Sequence, residues 1–129
     1  MVNITFKTCC SFILLAAAFS ACAQAVTELD PVVFRDKVKA TKGAVVVDVR
    51  TPQEFAEGHL ENAINIDVKA ADFEQLSASL DKRKPVFVYC LSGIRSNRAA
   101  VSLQKRGYTV TSMKGGITAW RESKLPVKR

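Results

Sequence analysis

A cysteine stands where a strand is predicted to end and a helix to begin. Cys90 follows the run Val86-Phe87-Val88-Tyr89, which is typical of a strand buried on both faces. It precedes a polar loop that leads into a helical pattern: Leu91, Ser92, Gly93, Ile94, Arg95 and Ser96. Ligand sites in open α/β sheets lie beyond the carboxyl ends of the strands. The position alone therefore favours a chemical role for the thiol.

The loop after Cys90 has the residue types that stabilise an anionic sulfur. A thiol attacks as its thiolate, and helix amino ends and nearby cations favour that form. Gly93 allows successive backbone amides to turn toward one centre, Arg95 adds a fixed positive charge, and Ser92 and Ser96 carry hydroxyl donors. The pattern predicts a nucleophilic cysteine. The opposing interpretation is an inert apolar residue, because free cysteines are among the most buried residue types.

Helix signals and β-branched runs alternate along the rest of the chain. Asp30-Pro31 is a typical helix start with Asp30 as cap, and Thr51-Pro52 with Glu54 forms a capping-box pattern. We expect helices from 31 to Gly43, after 51, over 72–80, over 96–106 and around 117–120. We expect strands over 44–49, 63–66, 86–89 and 108–113. This alternation predicts one α/β domain with a mainly parallel sheet.

Four segments, in order along residues 27–125, resemble the single-domain rhodaneses. Residues 90–96 are similar to the Cys-x-x-Gly-x-Arg-Ser active loop of that family. Residues 47–55 with Gly58-His59-Leu60 resemble its first motif, 63–66 its next strand, and 115–120 its closing motif. Asn62 departs from the glycine that relatives often carry there, which concerns a turn and not the chemistry.

The resemblance implies a rhodanese-like fold and a sulfurtransferase activity. The fold would be a central five-stranded, mainly parallel sheet with helices on both faces. Cys90 would be the catalytic residue and hold a persulfide in the loop of residues 91–96, while Asp48 and Arg50 would support the loop. The substrates would be a small sulfur donor, thiosulfate or a persulfide, and a thiol or cyanide acceptor, with no cofactor.

Two other functions fit part of this pattern. A rhodanese-like module can bind a partner or carry sulfur without turnover, although this chain keeps the cysteine that several such modules lack. Related phosphatases and arsenate reductases also place a cysteine before an anion-binding loop. Their loop has one residue more between Cys and Arg than the four found here, so the present loop encloses a smaller centre, which suits sulfur better than phosphate.

Composition argues against metal and nucleic-acid partners. His59 is the one histidine, and we expect it to be structural; with Cys90 it falls short of the four ligands of a structural zinc site. The formal charge is +7, but the basic residues are spread along the chain without aromatic residues between them or a nucleic-acid-binding motif. We therefore expect no metal and no nucleic acid.

Residues 1–25 are typical of an export signal, which leaves 26–129 as the domain. Lys7 precedes an apolar stretch that is too short to span a bilayer, followed by small residues suited to a signal peptidase. Phe19-Ser20-Ala21-Cys22 resembles a bacterial lipoprotein box, in which Cys22 would be lipidated. We expect an exported protein, periplasmic or anchored to the membrane by a lipid on Cys22. In either form Cys90 would be the one remaining cysteine.

Overall fold

A parallel sheet forms the centre of the molecule. The computed structural model describes residues 25–129. In this part the strands are β1 (Thr27–Leu29), β2 (Val45–Asp48), β3 (Ile64–Asn65), β4 (Val86–Tyr89) and β5 (Val110–Met113). Their order in the sheet is β1-β5-β4-β2-β3, and every neighbouring pair is parallel. The predicted α/β class and the five-stranded parallel sheet are confirmed.

Helices cover both faces of the sheet. They are α1 (Pro31–Ala40), α2 (Pro52–Glu57), α3 (Phe73–Ser77), α4 (Ile94–Lys105) and α5 (Gly116–Glu122). Phe34 of α1 and Trp120 of α5 belong to one apolar cluster, whereas Phe73 of α3 and Leu103 of α4 belong to another. The core is therefore two layers, one on each side of the sheet.

The side chains of strand β4 alternate between these two layers. Val86, Val88 and Cys90 lie in the layer under α3 and α4, while Phe87 and Tyr89 lie in the layer under α1 and α5. All five residues are nearly inaccessible to solvent. Because successive side chains of a strand point to opposite faces, a run without polar residues is what a strand covered on both sides requires.

Several helix and strand ends differ from the sequence prediction. Helix α4 begins at Ile94 and not at 96, and α3 is shorter than the predicted 72–80. Asp30 occupies the N-cap position of α1, but its side chain makes no capping hydrogen bond, so that expectation was wrong; Pro31 at the first turn is present as predicted. The capping box of Thr51 and Glu54 is confirmed.

Strand β1 and the turn at Asn62 add two details. No sequence signal predicted Thr27–Leu29 as a strand, because an exposed edge strand lacks the apolar run that marks the central ones. Asn62 has a φ of +62°, in the left-handed region where glycine is most common and asparagine is tolerated. The departure from glycine therefore preserves the backbone of the turn.

The sheet order places the start of the polar loop at a switch point. The chain moves from β2 outward to β3 in one direction, and from β4 outward to β5 in the other. Asp48 at the end of β2 is in register with Tyr89 at the end of β4. The crevice outside these two carboxyl ends is where open α/β sheets bind their ligands, and Cys90 is the next residue after Tyr89.

The predicted export signal, including Cys22 and its lipidation, lies outside the described residues, except for Ala25 at its end. Within residues 25–129, no helix combines the length and the apolar character needed to cross a bilayer.

Candidate active site

The sulfur of Cys90 lies at the amino end of α4. The amide of Gly93 donates a hydrogen bond to Sγ with an N–S distance of 3.0 Å. Gly93 caps the helix with a φ of +103°, a conformation that L side chains rarely adopt. Cys90 itself is only 1% exposed, and it is free of any disulfide. The helix dipole and the Gly93 amide thus both favour negative charge on this sulfur.

A chain of buried hydroxyl groups continues from the sulfur. Sγ of Cys90 and Oγ of Ser96 are 3.5 Å apart, Ser96 donates to the carbonyl of Gly93 at 3.1 Å, and Ser112 donates to Ser96 at 2.9 Å. Both serines are fully buried. Sequence reasoning named Ser96 but missed Ser112, a polar residue of the predicted last strand that the structure shows to be fully buried.

Helix α5 holds the loop from the other side. The amides of Ile117 and Thr118 donate to the carbonyls of Cys90 and Leu91, at 2.9 and 3.1 Å. This approach requires glycine at Gly116, where a Cβ atom would lie 2.5 Å from the Cys90 oxygen and closer still to the Leu91 carbonyl. The closing motif of the sequence therefore positions the loop that begins at Cys90.

Arg95 is paired with a carboxylate. Its Nη1 and Nη2 atoms donate to Oε1 and Oε2 of Glu54 at 2.7 and 2.9 Å. The Arg95 guanidinium, assisted by hydrogen bonds from Thr51, lowers the pKa of Glu54 to about 2. Glu54 in turn raises the pKa of Arg95, with smaller contributions from Cys90 and Asp67. The sequence analysis expected the positive charge of Arg95 to stabilise the sulfur of Cys90. In the structure the Arg95 guanidinium is bonded to the carboxylate of Glu54, a partner that sequence reasoning did not identify.

The supporting pair forms as an ion pair below the site. Asp48 and Arg50 are both buried and meet at 2.6 Å, and Arg50 also donates to the carbonyl of Gly58 at 2.7 Å. The guanidinium lies 5.7 Å from the centre of the Tyr89 ring. Burial and the nearby Asp48 carboxylate raise the pKa of Tyr89. The pair therefore lies against Tyr89, the residue before Cys90.

Asn65 and His59 have structural contacts around this pair. The Asn65 amide donates to the carbonyls of Asp48 at 3.1 Å and Arg50 at 2.8 Å, a role that sequence reasoning missed. The His59 ring stacks on Phe55 with 3.9 Å between ring centres. Its Nδ1 atom is 3.0 Å from the Phe55 carbonyl. These contacts agree with the structural role expected for His59.

Three residues of the loop after Cys90 form an exposed rim, and two of them are aliphatic. Ile94 is 73% exposed and Leu91 is 42% exposed, and Ser92 between them also faces solvent. Within residues 25–129, no three His, Cys, Asp or Glu side chains are grouped to hold a metal ion. The arrangement is a buried sulfur in a loop with an exposed rim, and the Gly93 amide already donates to that sulfur.

Known proteins share much of this sequence and its fold. Residues 30–123 match the family model described as the rhodanese-like domain. A sulfurtransferase of Allochromatium vinosum is 32% identical over 103 residues, covering 79% of this chain and 94% of that protein. The thiosulfate sulfurtransferase GlpE of Coxiella burnetii is 37% identical over 78 residues, covering 60% of this chain and 71% of that protein. The crystal structure of a rhodanese-related protein from Thermoplasma volcanium superposes with a TM-score of 0.71 at 28% identity, covering 79% of this chain and 97% of that one. The chain therefore belongs to the rhodanese-like domain family.

Proposed function

We propose that this protein is a sulfurtransferase that carries sulfur as a persulfide on Cys90. The Cys90 thiolate attacks the outer sulfur of a donor such as thiosulfate. A new sulfur–sulfur bond forms, and the old one breaks with its electron pair on the departing sulfite. A nucleophilic acceptor such as cyanide or a thiol then takes the outer sulfur and restores the thiolate. Covalent storage divides one transfer into two easier steps.

The hydrogen bond from the Gly93 amide to Sγ is the observation that carries this proposal. A preorganised amide aimed at a sulfur stabilises the charge that the thiolate has before each cycle and regains after it. The first amides of a helix have no partner inside it, so the amino end of α4 offers further donors to the outer sulfur of a persulfide. The relatives named sulfurtransferases support the same chemistry.

The burial of Cys90 favours a second candidate, a rhodanese-like module without turnover. A cysteine that is 1% exposed is reached by a donor only when the residues that cover it move aside. Buried structural cysteines are inert. The two functions therefore differ in measurable properties. A module that only binds a partner does not load Cys90 with a second sulfur, and a module that only carries sulfur loads it without catalytic turnover.

Mass spectrometry after thiosulfate treatment separates the two functions. The expected result is a gain of one sulfur atom on the peptide that contains Cys90, lost again when cyanide is added, with an equal amount of thiocyanate formed. Cys90→Ser should abolish both. The matched control replaces Cys9, Cys10 and Cys22 by serine and should load sulfur normally. A folded protein that never gains sulfur from thiosulfate or a persulfide would favour the module.

We also propose that residues 1–25 direct export and leave a domain of 26–129. The composition of this segment supports the proposal. The mass of the protein purified from a bacterial host gives its first residue and any lipid. A chain that begins at Cys22 with attached acyl groups, lost in Cys22→Ala, would identify a lipoprotein. A chain that keeps Met1 in the cytosol would contradict export.

A further inference from the structure

Five charged side chains near Cys90 carry together a small excess of negative charge. Arg50 is paired with Asp48, and Arg95 makes two parallel hydrogen bonds to Glu54. Asp67 is a further electrostatic neighbour of Arg95. Three carboxylates against two guanidinium groups leave one excess negative charge among these five residues, before the thiolate is counted. A free anion approaching the sulfur thus meets little net attraction from them.

Glu54 is a fixed competitor for Arg95. Its Oε1 atom also accepts hydrogen bonds from the backbone amide and the hydroxyl of Thr51, at 3.3 and 3.1 Å. The carboxylate side chain is 27% exposed and the guanidinium 16%, so solvent screens the pair only in part. A donor anion that binds Arg95 has to displace the Glu54 carboxylate or share the guanidinium with it, and Thr51 and Arg95 both hold that carboxylate in place.

We propose, on the basis of the function above, that Glu54 determines donor specificity and makes this site favour sulfur donors with fewer than two negative charges. Organic thiosulfonates and persulfides are donors of this class, and thiosulfate is not. The exposed aliphatic rim at Leu91 and Ile94 supports the same preference. The rim offers apolar contact to the organic substituent of such a donor, whereas the oxygen that thiosulfate carries in its place gains nothing from that contact.

Two small donors isolate the effect of charge. Thiosulfate is a dianion and methanethiosulfonate a monoanion, and each gives its outer sulfur to the Cys90 thiolate. The old sulfur–sulfur bond breaks with its electrons on sulfite in the first case and on methanesulfinate in the second. With cyanide as the common acceptor, kcat/KM for each donor reports the first half-reaction alone. Low ionic strength keeps screening weak.

Glu54→Gln removes the charge and keeps an oxygen for Thr51 and Arg95. We expect it to raise the ratio of kcat/KM for thiosulfate to that for methanethiosulfonate about three- to tenfold, as one charge several ångströms from the extra donor charge predicts. Glu57→Gln, on the exposed side of the same helix, is the matched control and should leave the ratio within about twofold, since its charge lies in solvent.

A second variant keeps the test independent of folding. Asp67→Asn leaves the pair of Glu54 and Arg95 intact and should shift the ratio in the same direction. If Glu54→Gln fails to fold by circular dichroism, Glu54→Asp decides the question, because it draws the carboxylate back from Arg95 by one methylene and should raise the ratio by a smaller factor. An unchanged ratio, or an equal gain with both donors, would overturn the role of Glu54 while sulfur transfer stands. Absence of a Cys90 persulfide from either donor in the unmodified protein would instead refute the proposed function.

Discussion

Replacing Gly116 by alanine tests whether α5 positions the Cys90 loop. The added Cβ would lie 2.5 Å from the Cys90 oxygen and closer to the Leu91 carbonyl, both of them backbone atoms. The backbone there cannot yield as a flexible side chain would. We therefore expect α5 to move away and to lose the hydrogen bonds from Ile117 and Thr118 to these two carbonyls.

The size of the effect follows from two contributions. A left-handed φ of +60° costs an alanine about 1–2 kcal/mol. Each lost hydrogen bond costs about 1 kcal/mol more. The free energy of unfolding should fall by about 3–4 kcal/mol, a large part of the roughly 5–15 kcal/mol that stabilises a typical domain. At about 4–8 °C per kcal/mol for a domain of this size, Tm should fall by about 12 °C or more.

Urea unfolding and sulfur loading together give the assay, and Gly43→Ala is the matched control. Gly43 has a similar φ of +74°, but its added Cβ would meet only Lys84 Cγ, at 3.8 Å. We expect this control to lose about 1–2 kcal/mol, the cost of the backbone conformation alone, and to load sulfur normally. Equal destabilisation by the two substitutions would refute the reasoning that close packing of α5 on the loop requires Gly116.

Two further predictions concern ion pairs. Arg50→Met leaves Asp48 charged and buried without its partner, so it should lower the free energy of urea unfolding by about 3–5 kcal/mol, and the double variant with Asp48→Leu should lose less. Because the folded pKa of Glu54, about 2, lies below its ordinary 4.5, its pairing stabilises the fold fully above pH 4.5, and this stability is lost as pH falls toward 2. The difference in unfolding free energy between the unmodified chain and Glu54→Gln should shrink over that window. A constant difference would contradict it.

The fold was predictable where the sequence pattern is local. The β-branched run before Cys90 predicted β4 at its observed bounds, and the Thr51 capping box fixed the start of α2. Strand β1 was not predictable in the same way, because its pairing with β5 depends on a partner far along the chain. Long-range pairing leaves little trace in a short exposed segment.

The candidate site divides along the same line. The loop residues 90–96 are contiguous, so their types predicted an amide-lined turn around a sulfur. In the structure the Gly93 amide donates to that sulfur. The partners that complete the site come from other elements: Glu54 from α2, Ser112 from β5 and the amides that follow Gly116. The sequence contains each of these residues, but it does not show which of their atoms contact the loop, because that depends on how the helices and strands pack.

On the proposed function, different groups hold the bound anion and attract the free one: the helix amides do the first, and charged side chains do the second. Helix amides act within the first turn and stabilise an anion already bonded at Cys90. Charges act over a longer distance and attract a free anion from solution, but Glu54 offsets Arg95 and Asp48 offsets Arg50. The side chains nearest the sulfur therefore add little to the attraction that the positive charge of the whole chain exerts on a small dianion. The rate constant for sulfur transfer should therefore depend on the geometry at Gly93, and the affinity for the donor on the charge at Glu54.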